Sequence, residues 1–211
     1  MNDPLSIGLQ IAVLLFSVAV HESAHGWVAW RCGDPTAHDL GRITLNPLRH
    51  IDPVGSLLVP GLLALSGAPV FGWARPVPVD LSRARDPRRA LLLVSAAGPL
   101  SNFLLAGLAA LIVVPLRGAL QTEGGAAEAV ALGALYAVLV NVSLALFNLL
   151  PIPPLDGFGV LAGLLPRSAL GTLALLRRFG MVILLGLLLT GSLDAILRPA
   201  QQFVLRILLG R

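Results

Sequence analysis

An apolar run from Leu5 to Trp30 is interrupted by Val20-His21-Glu22-Ser23-Ala24-His25-Gly26. If the run is helical, His21 and His25 lie one turn apart on one face. Both imidazoles then reach a single Zn²⁺, and Glu22 stands beside them to take a proton from an attacking water. With so few His and Glu residues in the chain, a shuffle of its composition produces H-E-x-x-H only about once in a thousand attempts. The plainer alternative is two helix histidines and a carboxylate satisfied by hydrogen bonds. Ionisable groups are costly inside a spanning segment and usually mark function, which favours the metal reading. Catalytic zinc takes three protein ligands, so a third must come from elsewhere. The candidates are His38, Asp39, His50, Asp52 and Asp156, with Asp34, Asp80 and Asp86 less well placed. Asp156 is the best of them on chemistry, because it follows a proline-broken span that ends on the motif's side of the membrane. His50 and Asp52 are rivals because their loop is close in sequence.

The elements that must position these residues lie in a membrane. Of 211 residues 56% are hydrophobic and 12% charged, and the mean hydropathy is +0.84, too apolar for a soluble domain. The expected fold is an all-α polytopic membrane protein. It has four to six transmembrane or re-entrant helices and a small β-strand or loop element near the active site. A single domain spans 1–211, with a catalytic core over about 5–165 and a C-terminal span and interfacial helix over about 167–211. The N-terminal segment resembles a signal peptide only superficially, since it has Asp3, no Arg before the apolar run, and the metal motif within it. The pI of 10.9 does not point to nucleic acid. All fifteen basic residues are Arg placed between hydrophobic segments, the pattern of cytoplasmic loops facing anionic lipid, and no basic cluster is interleaved with aromatics. Cys32 is the lone cysteine, which excludes a disulfide within the chain and a Cys-rich metal site.

Taken in order, the first helix covers about Leu5 to Arg31 and stops at Cys32-Gly33-Asp34-Pro35. Thr36 to Pro53 is polar, and Leu40 to Leu45 within it reads equally as a short strand or a surface loop. Val54 to Val70 is apolar but broken by Gly and Pro. Arginines flank it on both sides, so the positive-inside rule makes it a hairpin that enters and returns. Phe71 to Val79 reads as extended and able to pair with the earlier strand. A long helix follows from about Arg88 to Leu116, containing Pro99 and Asn102. After a weakly acidic loop over Arg117 to Glu128, another helix covers about Ala129 to Leu149. It delivers Pro151, Pro153 and Pro154, which forbid a continuous helix and present Asp156 from unwound backbone. A final span is expected over about Phe179 to Leu197, and an interfacial amphipathic helix over Arg198 to Arg211.

Several motifs together resemble the site-2 protease family of intramembrane zinc metalloproteases. They are His21-Glu22-x-x-His25 on an early apolar helix, Ala97-Gly98-Pro99 followed by Asn102, and Asn148-Leu149-Leu150-Pro151 running to Leu155-Asp156-Gly157. The Gly41-Arg42-x-Thr44-x-Asn46-Pro47-x-x-His50-x-Asp52-Pro53 run resembles a compact prokaryotic branch of that family. The resemblance implies one Zn²⁺ held by His21, His25 and Asp156, with Glu22 as general base and Asn148 steadying the oxyanion or the substrate carbonyl. Asn102, His50 and Asp52 are supporting candidates: Asn102 as a helix-to-helix bond, the other two mainly as loop-ordering residues. The expected reaction is hydrolysis of a peptide bond in or near a transmembrane helix of a membrane protein, in regulated intramembrane proteolysis. The expected location is a prokaryotic inner membrane, multi-pass, with the site towards the cytoplasm. The partners are then a transmembrane-helix substrate and the lipid bilayer. Two other classes share these residues, a divalent-metal carrier and a catalytically silent membrane-helix-binding protein. Glu22 beside the histidines and the lack of an inverted repeat argue against the carrier.

Overall fold

The computed structural model describes residues 4–67, 72–121 and 125–210, the side chains of Ala64, Arg167 and Leu170 excepted. Asp3, Val70, Phe71 and residues 122–124 of the acidic loop lie outside the described residues. The helices in chain order are α1 (Pro4–Cys32), α2 (Thr36–Asp39), α3 (Val59–Ser66), α4 (Pro87–Val113), α5 (Ala126–Asn148), α6 (Asp156–Leu164), α7 (Leu170–Leu189) and α8 (Ser192–Leu209). Four stretches are long and apolar enough to cross a membrane: α1, α4, α5 and Gly171–Leu189 of α7. The protein is an all-α polytopic membrane protein.

Local chemistry sets the helix ends. α1 stops where Gly33 takes a φ of 107°, a conformation glycine adopts without steric cost. The next residue, Asp34, is fully buried. Its Oδ1 accepts from the Thr36 N–H (3.0 Å) and hydroxyl (2.5 Å), and its Oδ2 from the Asp80 N–H (2.6 Å). One carboxylate thus ties the end of α1 to the chain that leads into α4. α4 starts with Asp86 capping the N–H groups of Arg88 and Arg89, with Pro87 at the first helical position.

α4 is the central helix, packing against α1, α5 and α6. Its upper half meets α5 through Ala106, Ala109, Ala110 and Val113 against Ala134, Val138 and Val142. Small side chains let the two backbones approach closely, the usual basis of helix association in lipid. Val204, Leu205, Leu208 and Leu209 of α8 cover the same cluster.

Two expectations about chain path change. The last apolar helix is Leu170–Leu189 rather than about 179–197, and the terminal helix starts at Ser192 rather than Arg198. The break falls at Thr190-Gly191, where the Gly191 φ of 70° reverses the chain and the Thr190 hydroxyl bonds the Gly186 carbonyl at 2.8 Å. Pro199 sits inside α8. There is also no strand among the described residues. Leu40 to Leu45 is the loop alternative. Its backbone is spent locally, as in the Arg42 N–H to Ala37 O bond (2.9 Å), so it forms no ladder with the extended chain after residue 72.

The apolar excursion after Asp52 leaves as one wide helical turn over Pro53–Leu58 that runs directly into α3. Its two ends meet again. The Trp73 N–H bonds Gly55 O at 3.0 Å, the Ser56 hydroxyl bonds Trp73 O at 2.9 Å, and the Arg75 N–H bonds His50 O at 2.8 Å. Departure and return therefore lie side by side.

Candidate metal centre

His21 and His25 are nearly buried on α1, at 7% and 9% exposure, and both face α4. The His21 Nδ1–H donates to Asn102 Oδ1 at 2.6 Å, and the His25 Nδ1–H donates to the Val94 carbonyl at 2.7 Å. A carbonyl can only accept, so His25 carries a proton on Nδ1, and its neutral form offers a lone pair at Nε2. Asn102 imposes the same tautomer on His21. Val94, Gly98 and Asn102 follow at intervals of four residues along one face of α4, with Gly98 in the middle. A Cβ at Gly98 would run into His25 Nε2 and lie 2.6 Å from His21 Nε2, so only glycine lets the helix back onto both rings.

Asp156 is the first residue of α6, delivered by the Pro151–Leu155 turn. Its Oδ2 lies 3.1 Å from His21 Nε2 and 3.3 Å from His25 Nε2, while the two Nε2 atoms are 3.0 Å apart. These distances would suit hydrogen bonds, but with both imidazoles neutral in these tautomers none of the three atoms carries a proton. Accordingly, Asp156 Oδ2 is a buried atom without a hydrogen-bond partner. Three acceptors crowded together in this way repel one another unless a cation lies among them. Tetrahedral zinc with bonds of about 2.0–2.1 Å separates its ligand atoms by about 3.3 Å, close to the observed triangle. Two imidazoles and a carboxylate are also donors that zinc prefers, so the residues fit it. Among the described residues no other group of His, Cys, Asp or Glu converges in this manner.

Glu22 is held from a different direction. Its Oε2 accepts the Val77 N–H at 2.8 Å, from the extended chain that follows the excursion. That chain is anchored in turn, because the Arg42 guanidinium donates to the carbonyls of Arg75 (3.0 Å) and Pro76 (3.3 Å). The neighbouring Ser23 hydroxyl donates to Thr44 O at 2.7 Å, which docks the 40–45 loop onto α1. Gly26 serves close packing: a Cβ there would lie 3.0–3.1 Å from Val77, Ala37 and Ile43.

The other candidates stand elsewhere. His50 is buried and donates from Nε2 to Thr44 O at 2.9 Å, which orders the loop. Asp52 caps the excursion by accepting from the N–H groups of Val54 (3.0 Å) and Gly55 (2.7 Å). His38 stacks on Trp30 and pairs with Asp39 on the surface. Asn148 is the last residue of α5, and its amide donates back to Leu144 O at 2.9 Å. Sequence reasoning missed Asn141, which bonds Asn102, and the backbone groups of Val94 and Val77. The signal for Asn141 is a polar residue inside an apolar span; main-chain partners leave no such signal. Beside Asp156, a cavity of about 360 Å³ opens between α4, α6 and α7, lined by Ser95, Pro153, Pro154, Phe158 and Arg177.

Residues 9–132 match the model of peptidase family M50. The chain belongs to that family, the site-2 proteases. Among its relatives, YwhC of Bacillus subtilis (strain 168) is 38% identical over 199 residues, covering 93% of this chain and 87% of the relative. Rip2 of Mycolicibacterium smegmatis is 36% identical over 197 residues, covering 90% and 72%. Rip2 of Mycobacterium tuberculosis (strain H37Rv) is 34% identical over 189 residues, covering 87% and 68%. All three are named as zinc metalloproteases. No solved structure matches the chain significantly. The M50 peptidase is thus an intramembrane zinc metalloprotease. The carrier and silent-binding readings are not favoured.

Proposed function

We propose that His21, His25 and Asp156 hold the zinc ion and that Glu22 is the general base for hydrolysis of a peptide bond in or near a transmembrane helix. The observation that carries this reading is the convergence of three buried lone pairs within 3.0–3.3 Å of one another. Zinc, when bound, polarises the scissile carbonyl and makes water more acidic. Glu22 Oε2 is engaged by the Val77 N–H, which leaves Oε1 to accept the proton of the attacking water and return it to the leaving amine. The Val77 bond also holds the carboxylate in one orientation. Asn148 donates to a substrate oxyanion only after rotating away from Leu144. The cavity beside Asp156 gives an unwound substrate backbone room to lie along α6. His50 and Asp52 act indirectly, by ordering the loops that follow α1.

His21 lies eleven residues before the end of α1 at Cys32, which is about 16 Å along the helix axis. That end leads into a region holding Arg31, Arg42, Arg49, Arg75, Arg83, Arg85, Arg88 and Arg89. This charge supports a cytoplasmic side for the site, and the bacterial relatives support a prokaryotic inner membrane as its location. The test is zinc content together with cleavage of single-span peptides in detergent, for wild type, Glu22→Gln and Asp156→Ala. Glu22→Gln should keep zinc and lose cleavage by roughly 10²–10⁴-fold, the range for a general base. Asp156→Ala should lose both zinc and cleavage. Full activity of Glu22→Gln would disprove its role, and undiminished zinc in Asp156→Ala would disprove the ligand set.

A further inference from the structure

A chain of buried amides runs from His21 away from the metal site into the helix bundle. Asn102 on α4 is 0% exposed and Asn141 on α5 is 1% exposed. The Asn102 Nδ2 donates to Asn141 Oδ1 at 2.7 Å, and the Asn141 Nδ2 donates to Ala137 O at 2.9 Å and to Ser17 Oγ of α1 at 2.8 Å. The direction of every bond follows from its far end. The Ala137 carbonyl can only accept, so Asn141 must turn its Nδ2 there and its Oδ1 towards Asn102. Asn102 must then present Nδ2 to Asn141, which leaves Oδ1 for His21. An oxygen at that position requires the proton on His21 Nδ1 and leaves the lone pair on Nε2. Among the described residues, the one other restraint on the Asn102 amide is a long 3.4 Å bond to Ser17 O.

We propose that Asn141 is a positioning residue for the metal site, which sets the tautomer and ring orientation of His21 through Asn102 without touching either zinc or substrate. This rests on the His21–His25–Asp156 reading of the metal centre. Two buried amides in an apolar bundle are expensive unless every donor and acceptor is matched, and here they are matched in only one sense. The histidine therefore need not choose its tautomer when the metal arrives. Outer partners of metal-bound histidine typically change affinity or activity 10–100-fold when removed. Asn141 is one bond further out, so its removal should fall near the lower end of that range.

The experiment uses the full chain in detergent micelles, with ¹⁵N-labelled histidine for the tautomer and competition against a chelator for zinc affinity. Asn141→Leu removes the acceptor that orients Asn102, whereas Asn141→Asp keeps it. Ser143→Ala, on the same helix but bonded to Gln201 of α8, controls for a general loss of polarity. The zinc-free wild type, Asn141→Asp and Ser143→Ala should show His21 protonated on Nδ1. Asn141→Leu should show a mixture of tautomers and bind zinc roughly tenfold more weakly, while Asn141→Asp stays within about threefold of wild type. Equal zinc affinity and an unchanged tautomer in Asn141→Leu would overturn the proposal, even if that variant melts earlier, because the residue would then be purely structural. If Asn141→Leu fails to fold, the wild-type spectrum still decides, since a proton on His21 Nε2 overturns the relay. If even wild type fails to bind zinc, the ligand assignment falls, while the tautomer comparison continues to test the relay.

Discussion

Replacing Gly98 by alanine should disable the metal site while leaving the helix bundle in place. The added Cβ would lie 2.6 Å from His21 Nε2 and closer still to His25 Nε2, whereas ordinary contact begins at 3.4 Å, so a gap of about 1 Å must open. Neither ring can yield alone. Each is tethered through Nδ1, at 2.6 Å to Asn102 and 2.7 Å to Val94, and both tethers sit on α4 together with the new methyl. Moving α4 away stretches both bonds, and rotating the rings breaks the triangle with Asp156. Metal–ligand distances tolerate about 0.2 Å, roughly a fifth of the movement required. Structural zinc is bound by about 10–16 kcal/mol shared over four ligands, so a displaced ligand loses about 3 kcal/mol, or roughly a hundredfold in affinity. Overpacking costs the fold about 1–3 kcal/mol, which a helix bundle can survive. Zinc affinity should be measured by chelator competition and melting followed by circular dichroism. A Gly98→Ala protein that binds zinc as tightly as wild type would refute the claim that α4 backs directly onto the rings. A larger variant, Gly98→Val, should be worse still.

The excursion and the loops can be separated from the metal site in the same way. A Cβ at Gly55 would collide with the Trp73 indole. Gly55→Ala should therefore keep zinc at wild-type affinity but slow peptide cleavage several-fold, because it loosens the chain that carries Val77; unchanged cleavage would show that this contact is irrelevant to the site. At Asp34, burial works to raise the carboxyl, but hydrogen bonds from Thr36 and from the Asp80 N–H outweigh it and hold the group below the usual carboxylate range. A depressed pKa means that the stabilisation is fully present above the unfolded-state value of about 3.9 and fades as pH falls through the folded-state value. Wild type should thus lose its melting advantage over Asp34→Asn on acidification below about pH 4, and an advantage that stays constant down to pH 2 would contradict this.

The sequence made the chemistry legible where it is written in side chains at short spacing. His21 and His25 share a helix face because four residues make about one turn, and an apolar run with no ionisable group besides these and Glu22 leaves them little to do except function. The same physics makes the four long helices legible, since only a helix satisfies its backbone within lipid. Asp156 could be ranked above its rivals from the three prolines before it, but the distance between residues 25 and 156 cannot be computed from either stretch alone. Packing of α4 against both α1 and α6 decides it. The break at Thr190-Gly191 shows the opposite weakness: an apolar composition continues through it, so hydropathy placed the last span too late. Leu40 to Leu45 has a strand's composition but no partner edge, because a strand is a property of pairs. The tautomers of the two histidines, the grip of the Val77 N–H on Glu22 and the amide relay to Asn141 all depend on which backbone atoms come within about 3 Å. Those contacts are made between helices distant in sequence, and packing in the folded bundle decided them.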